Sequence, residues 1–223
     1  MNARSTALAA ALALAAAAPA AASAAQIQVD QACYQDNTGT VEVTGNGFDP
    51  GQPYSVLLDG RSLGTGGDTV GPDGTIRGSF ETPELDRQAV HPYTLTVTQG
   101  ANAPTTTFSV TPFLADFAPG AGNPKKLRVR FKAFGFGLVD ANPIVYLHYV
   151  RPNGKLKRTI KVGRAQGVCG TIKPTARRKL FPFKAQSGHW NLQFDTHKRY
   201  RKGKTGVRFL FYSVGVTIKR VFG

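Results

Sequence analysis

The sequence predicts an all-β protein made of two consecutive antiparallel β-sandwich domains. Apolar and polar residues alternate in short segments, turn-forming Gly, Pro, Asn and Asp residues separate these segments, and no helical period of useful length appears. This combination is typical of an antiparallel sandwich. Of the 223 residues, 41% are hydrophobic and 10% aromatic, which is enough to bury a core and excludes a disordered basic tail.

The first 25 residues are expected to be a secretory signal peptide. Arg4 precedes an Ala- and Leu-rich run from Ala7 to Ala18, and small residues follow Pro19 up to Ala25. This is the three-part plan of a signal peptide, and cleavage is expected after Ala25. The alternative is an Ala-rich cytoplasmic helix, which is disfavoured because the apolar run ends abruptly in turn-rich sequence. No transmembrane segment is expected elsewhere, since no other stretch reaches the roughly 18 apolar residues of a membrane span.

The formal net charge of +15 is distributed unevenly along the chain. Residues 26–110 carry three Arg and ten acidic residues, a net charge of −7, whereas residues 111–223 carry 24 Lys or Arg and three Asp, a net charge of +21. This break predicts an acidic domain at 26–111, a linker at 112–124 where Pro and Gly cluster, and a basic domain at 125–223.

Period-two alternation places five strands in the first domain. These strands are centred on Val41–Val43, Tyr54–Leu58, Ile76–Phe80, Tyr93–Val97 and Phe108–Val110. Turn sequences separate them, and Asp59-Gly60 is a hairpin sequence of the kind that joins adjacent antiparallel strands.

The second domain repeats this plan with bulkier residues. Its predicted strands are Leu127–Phe131, Tyr146–Val150, Leu156–Val162, His189–Phe194 and a long closing strand, Val207–Arg220. The segments VEVTGNGF (41–48) and VRFKAFGF (129–136) share a strand, a glycine and a following Phe. Their order and spacing indicate two divergent copies of one sandwich.

The first domain resembles a family of bacterial repeats. The segment VTGNGFDPGQPYSVLLDG (43–60), with the later DGT, GSF and YTLTV, is similar to immunoglobulin-like repeats of the IPT/TIG or bacterial Ig type, found in secreted and surface proteins of bacteria. This resemblance covers residues 27–111 and implies an immunoglobulin-like scaffold for adhesion, spacing or binding. The C-terminal half resembles uncharacterised secreted bacterial proteins through its strands at 146–154 and 190–196, and no function carries over from them.

Cys33 and Cys169 are the chain's only cysteines, one in each predicted domain. In an exported protein such a pair usually bonds, and closing so long a loop stabilises by about 4–5 kcal/mol in the chain-entropy model. The alternative is two buried free thiols, since nothing in the sequence brings Cys33 near Cys169. A nucleophilic Cys169 would need one of His148, His189 or His197, but its GVCGT context matches no trusted catalytic motif.

No enzyme activity, cofactor or metal site is predicted. The sequence has no GxSxG motif, and its four histidines lack the spacing of metal ligands. The protein is therefore expected to act by binding.

Basic residues are the strongest functional feature of the second domain. Arg128, Arg130 and Lys132 alternate with apolar residues, so we expect them on one sheet face. Two denser clusters are predicted in loops, and Tyr200 within the second could stack on a base or a sugar. The candidate polyanion contacts are Arg177, Arg178, Lys179, Lys198, Arg199, Arg201 and Lys202.

Two functions compete at this point. In the first, the basic domain binds an anionic cell-surface polymer or glycan, or an anionic lipid surface, with nucleic acid as a partner only if it is extracellular. In the second, the protein is a structural or adhesive module that binds a protein partner through strand edges, with the closing strand as the candidate edge and the charge incidental. The alternative to polyanion binding is a basic surface that is merely solvated or that is neutralised by the acidic first domain. A small-ligand pocket between the sheets, or an enzyme built on Cys169, is a minor third class.

Overall fold

The computed structural model describes residues 24–64, 68–123, 126–204 and 209–219. Every regular element in these residues is a β-strand. The predicted signal peptide lies outside the described residues apart from Ala24 and Ala25. Within the described part of the chain there is no helix long and apolar enough to cross a membrane.

The first sandwich consists of two sheets that enclose an apolar core. One sheet has the order β1-β3-β6 and the other the order β2-β8-β7-β4-β5. Inward-facing residues such as Val41, Leu95, Val97 and Val110 are fully buried, as period-two alternation requires. The strands are β1 (Gln26–Val29), β2 (Cys33–Gln35), β3 (Thr40–Asn46), β4 (Ser55–Leu58), β5 (Arg61–Ser62), β6 (Ile76–Glu81), β7 (His91–Thr98) and β8 (Thr105–Thr111).

The second sandwich also has two sheets, ordered β13-β10-β9 and β12-β11-β14-β15. Its core is bulkier, with Trp190, Tyr149, Phe131 and Phe194 completely enclosed. The strands are β9 (Leu114–Ala118), β10 (Arg128–Phe134), β11 (Ile144–Val150), β12 (Leu156–Arg164), β13 (Arg178–Lys179), β14 (Gly188–Asp195) and β15 (Phe211–Ile218).

Both sandwiches follow one immunoglobulin-like plan, in which strands A, B and E form one sheet and C, F and G the other. The A, B and E positions are held by β1, β3 and β6 in the first sandwich and by β9, β10 and β13 in the second. The C, F and G positions are held by β4, β7 and β8 and by β11, β14 and β15. The predicted fold class, two consecutive immunoglobulin-like β-sandwiches, is confirmed.

Three local predictions need correction. The segment 112–124, predicted as a linker, contains β9, because Leu114, Ala115 and Phe117 are apolar and pair with β10 before the Pro and Gly cluster begins. The sheets are not wholly antiparallel, since β2 runs parallel to β8. The closing strand is shorter than Val207–Arg220, since β15 spans Phe211–Ile218 and residues 205–208 and 220 lie outside the described part.

The two sandwiches are joined by a disulfide. Cys33, at the start of β2, and Cys169, between β12 and β13, have an S–S distance of 2.02 Å across 136 residues of sequence. The loop of Cys169 packs backbone to backbone against the loop that follows β10: the Gly137 amide donates to the Cys169 carbonyl at 3.1 Å. Gly170 has a φ of +65°, and a Cβ there would overlap Gly137, so this contact requires glycine. The alternative of two free thiols is contradicted.

Candidate functional site

The basic residues of the second sandwich lie on two separate surfaces. One is the outer face of the sheet β13-β10-β9, and we call it the sheet-face surface. The other is residues 196–204, between β14 and β15, which we call the basic loop. The sheet-face surface comprises Arg128, Arg130, Lys132, Lys173, Arg177 and Lys179.

The sheet-face surface follows from the alternation in β10. Val129 and Phe131 are fully buried, so Arg128 and Arg130 point to solvent on the opposite face. Arg128 Nη2 donates a hydrogen bond to the Arg177 carbonyl at 2.9 Å. Lys132 Nζ lies 3.7 Å from the carboxylate of Asp116 and 3.3 Å from Gln88 Oε1 of the first sandwich. Two of the six cations are therefore engaged within the protein.

Arg178 does not belong to this surface. Its side chain enters the gap between the two sheets, where Nη1 and Nη2 donate to the carbonyls of Lys161 and Val162, each at 3.1 Å. The guanidinium carbon lies 4.9 Å from the centre of the Phe131 ring, a cation–π contact. Burial lowers the pKa of the Arg178 guanidinium below its ordinary value. Arg178 thus ties one sheet to the other, and its predicted role as a polyanion contact is not carried further.

The basic loop displays its cations to solvent. Lys198, Arg199, Arg201, Lys202 and Lys204 are all exposed, and the structure brings four of the predicted contacts together here. Arg177 and Lys179 lie on the outer face of the other sheet, so the two predicted clusters do not form one continuous site.

A buried polar cluster holds the basic loop against the outer face of its sheet. His148 of β11 and Gln193 and Asp195 of β14 are 0%, 1% and 0% exposed. Their strand neighbours Leu147 and Phe194 fill the core, so these three polar side chains face outward. An outward face is normally solvated, and here the basic loop covers it.

Gln193 anchors the far end of the loop with both ends of its amide. Gln193 Nε2 donates to the Arg201 carbonyl at 2.7 Å and to Asp195 Oδ2 at 2.6 Å. Gln193 Oε1 accepts from the Gly203 amide at 2.9 Å. One buried side chain therefore fixes two backbone positions of the loop.

His148 and Asp195 anchor the near end. His148 Nε2 lies 3.2 Å from Asp195 Oδ1 and 3.0 Å from the His197 carbonyl, and Asp195 Oδ1 also accepts from the His197 amide at 2.8 Å. His148 Nδ1 is 2.8 Å from the Thr159 hydroxyl. The side chains of His148, Gln193 and Asp195 all have hydrogen-bond partners, which is the condition under which such a cluster adds order rather than instability. His197 Nδ1, also buried, has none in the residues that the structure describes and lies 3.9 Å from Asp195 Oδ1.

Tyr200 completes the cover. Its ring centroid lies 5.4 Å from that of His148. Burial, with the negative charge of Asp195 as a second cause, raises the pKa of the Tyr200 hydroxyl above its ordinary value. Tyr200 thus packs on the sheet and contributes to the loop's position.

The buried cluster was missed at the sequence level. Asn191, Gln193 and Asp195 alternate with apolar residues in the same way as any solvent-facing row, so the pattern gives no sign of burial. The high density of polar residues in the next ten positions, with Tyr200 among them, was the one available indication that a loop folds back.

An open cavity of about 450 Å³ lies at the base of the basic loop. Thr196 and His197 form one wall, Phe209 and Leu210 a second, and the loop after β10, from Phe136 to Asp140, a third. Nothing in the sequence pattern brings these three segments together.

A larger cleft, of about 850 Å³, lies in the acidic sandwich between the β4–β5 hairpin and the loop after β6. Asp59, Glu84 and Asp86 line it, with Arg61 and Arg87 also present. Three carboxylates oppose the entry of a polyanion, so this cleft is not part of the candidate site.

Catalytic chemistry at Cys169 is contradicted, because its sulfur is in the disulfide and is not a thiolate. Among the described residues, no group of three or more His, Cys, Asp or Glu side chains is placed to hold a metal ion.

No protein-family model and no curated protein sequence matches the chain. Among solved structures, it is similar to a tetra-tandem repeat in the extending region of a large adhesion protein (14% identity, TM-score 0.28, covering 88% of this chain and 49% of that one). It is also similar to the D0-D1 domain of intimin, with 11% identity and a TM-score of 0.30; the match covers 86% of this chain and 98% of that one. A third similar structure is a Salmonella alpha-2-macroglobulin mutant, with 16% identity and a TM-score of 0.31; the match covers 89% of this chain and 15% of that one. The chain thus spans about half of the first structure.

Proposed function

We propose that this protein is a secreted or cell-surface binding protein, without enzyme activity, whose basic loop engages an anionic polymer. The observation that carries the proposal is the attachment of exposed cations to a loop anchored by completely buried groups. Lys198, Arg199, Arg201 and Lys202 project from a backbone that Gln193 holds in place.

The anchoring matters because ordering a loop on binding is costly. Fixing one residue's backbone costs about 1–2 kcal/mol, and a disordered basic segment meets that cost when it binds its ligand. In this loop the cost is met in the free protein by the cluster around Asp195 and His148. The cations are therefore preorganised.

Charge density supports the same function. Each cation that neutralises a charge of a dense polyanion releases a counterion, so four contacts predict a slope of about −3 in log affinity against log salt. The second sandwich cannot be neutralised by the first, because the net charges are +21 and −7. In this proposal Arg177 and Lys179 add to the long-range electrostatic attraction and so speed the association of the polymer with the protein. The basic loop makes the direct contacts.

Export is part of the proposal. It is supported by the signal-peptide plan of residues 1–25 and by the Cys33–Cys169 disulfide, a bond that persists in oxidising compartments. The anionic polymers of such a compartment include wall polymers, acidic glycans and extracellular nucleic acid.

Two variants of the full chain that lose the same charge test the site. The loop variant combines Lys198→Gln, Arg199→Gln, Arg201→Gln and Lys202→Gln, and the face variant combines Arg130→Gln, Lys173→Gln, Arg177→Gln and Lys179→Gln. Elution from immobilised heparin by a salt gradient is the measurement. The loop variant should elute at clearly lower salt than the face variant. Equal elution of the two variants would show that only average charge matters and would refute a site in the basic loop.

A second candidate function is protein binding at a sheet edge, and the position of β15 favours it. β15 is the last strand of its sheet in the described structure, and no charged residue protects Phe211–Ile218. In the first sandwich the equivalent edge, β8, is covered by β2. Capture of a partner that persists at high salt and is lost in a Ser213→Lys variant would support this function.

A further inference from the structure

The cavity at the base of the basic loop is suited to make a second contact with the anionic polymer. Its volume of about 450 Å³ lies within the range of small-molecule sites. Thr196 and His197, which line it, are the first residues of the basic loop. Lys198 and Arg199 follow His197 directly, so their backbone lies within about 7 Å of the cavity wall. A polymer bound to these cations is therefore close enough to extend into the cavity.

Four of the seven residues that line the cavity are apolar, namely Phe136, Val139, Phe209 and Leu210. The Phe209 ring meets the His197 ring edge to face, with centroids 5.2 Å apart, and Phe136 lies 1% exposed behind them. Val139, 72% exposed, stands at the rim. Burying C–H groups of a ligand against such a surface is favourable, and one face of a pyranose ring consists of C–H groups. A phosphate group presents none.

Asp140 gives the cavity a chemical preference. It is one of only three acidic residues in the 113 residues from 111 to 223, and it is exposed at the cavity. Its carboxylate has no hydrogen-bond partner among the described residues, and an ionised carboxylate accepts hydrogen bonds but cannot donate them. It therefore attracts hydroxyl groups and repels phosphate or sulfate. The part of a ligand that lies beside Asp140 must therefore carry hydroxyl groups, and its charged groups must lie outside the cavity.

We propose that the polymer bound by the basic loop is an anionic polysaccharide, with one uncharged face of a sugar ring in this cavity and the charged groups of neighbouring sugars on Lys198 and Arg199. This inference rests on the proposed function and goes further by naming the ligand class. Polyphosphate and nucleic acid fit less well, because they carry a charge at every repeat and would place one beside Asp140.

The test compares two probes on the full chain: a hyaluronan oligosaccharide, in which uncharged sugars alternate with carboxylated ones, and a linear inorganic polyphosphate of matched total charge. In the Asp140→Asn variant, affinity for the oligosaccharide should fall about tenfold, as for loss of one hydrogen bond to a charged group. Affinity for polyphosphate should stay unchanged or rise. Because Asp140 is exposed, the variant should unfold at the same temperature as the natural protein.

Phe209→Ala should give the same selective loss, and Val139→Ser, at the exposed rim, is the substitute if Phe209→Ala fails to fold. An equal effect of Asp140→Asn on both probes, or no effect on either, would overturn the polysaccharide assignment while leaving the basic loop in place. Failure of the natural protein to bind either probe in a salt-dependent manner would instead overturn the proposed function itself.

Discussion

The side-chain amide of Gln193 donates a hydrogen bond to the backbone carbonyl of Arg201 at 2.7 Å, although both residues carry the pattern of a solvated surface in the sequence. Gln193 is 1% exposed and Arg201 is exposed. The contact therefore links the interior of the second sandwich to the most basic segment of the chain. The position of the cations in the basic loop is therefore set by the folded structure of the second sandwich.

Gln193→Ala should destabilise the protein by about 2–4 kcal/mol, because it leaves the Arg201 carbonyl and the Gly203 amide without their buried partner. Urea unfolding measures this loss. The same variant should bind heparin more weakly although no cation is removed. Asn191→Ala on the same strand is the control, and should change stability by no more than about 0.5 kcal/mol. Unaltered heparin affinity in the Gln193→Ala variant would contradict preorganisation of the loop.

Arg178→Gln should lower the free energy of unfolding by about 1–3 kcal/mol, since two hydrogen bonds from a charged group to the Lys161 and Val162 carbonyls are lost. Lys179→Gln removes the same charge from the neighbouring position and should be close to neutral in stability. Both variants should elute from heparin at the same salt. A larger loss of heparin binding for Arg178→Gln than for Lys179→Gln would return Arg178 to the contact set.

Replacing both cysteines, as Cys33→Ser with Cys169→Ser, should cost about 4–5 kcal/mol of stability on the chain-entropy model for a loop this long. The double variant avoids an unpaired thiol, and reduction of the natural protein should approach the same denaturant midpoint. An unchanged midpoint would mean that the two sandwiches unfold independently of the bond.

Stability should fall at acid pH partly through Asp30. Burial alone would raise the pKa of the Asp30 carboxyl, but hydrogen bonds from the Tyr34 hydroxyl at 2.6 Å and the Glu42 amide at 3.0 Å lower it below its ordinary value. A lowered folded-state pKa gives stability that is present above the ordinary value near 4 and is lost as the pH falls through the folded-state value.

Asp30→Asn should therefore be less stable than the natural protein at pH 6, with the difference shrinking towards pH 3. Urea midpoints across that range measure the effect. A constant difference between the two proteins would contradict it.

Local alternation was sufficient to predict strands such as β3, β7, β10 and β14 and the repeat of one plan, because each inward row, such as Val129 with Phe131, is visible in the sequence. It gave no indication of β1, β2 or β13, which are too short to show a period. It was not sufficient for residues whose surroundings come from elsewhere in the chain. Arg178 lies between Arg177 and Lys179 in an unbroken basic run, and only the neighbouring sheet decides that its side chain turns inward. Likewise β9 was hidden because its apolar residues Leu114 and Phe117 directly precede the Pro and Gly residues of a turn.

The disulfide between Cys33 and Cys169 also fixes the path of mechanical load. If the protein is pulled at residue 26 and residue 219, tension passes from β2 through the sulfur atoms to the loop before β13. The 136-residue separation encloses β3 to β12, and this segment stays out of the loaded path. Roughly 450–490 Å of contour length is therefore withheld from extension for as long as the bond is intact. Reduction of the disulfide would expose this enclosed segment to the pulling force and make its length available for extension.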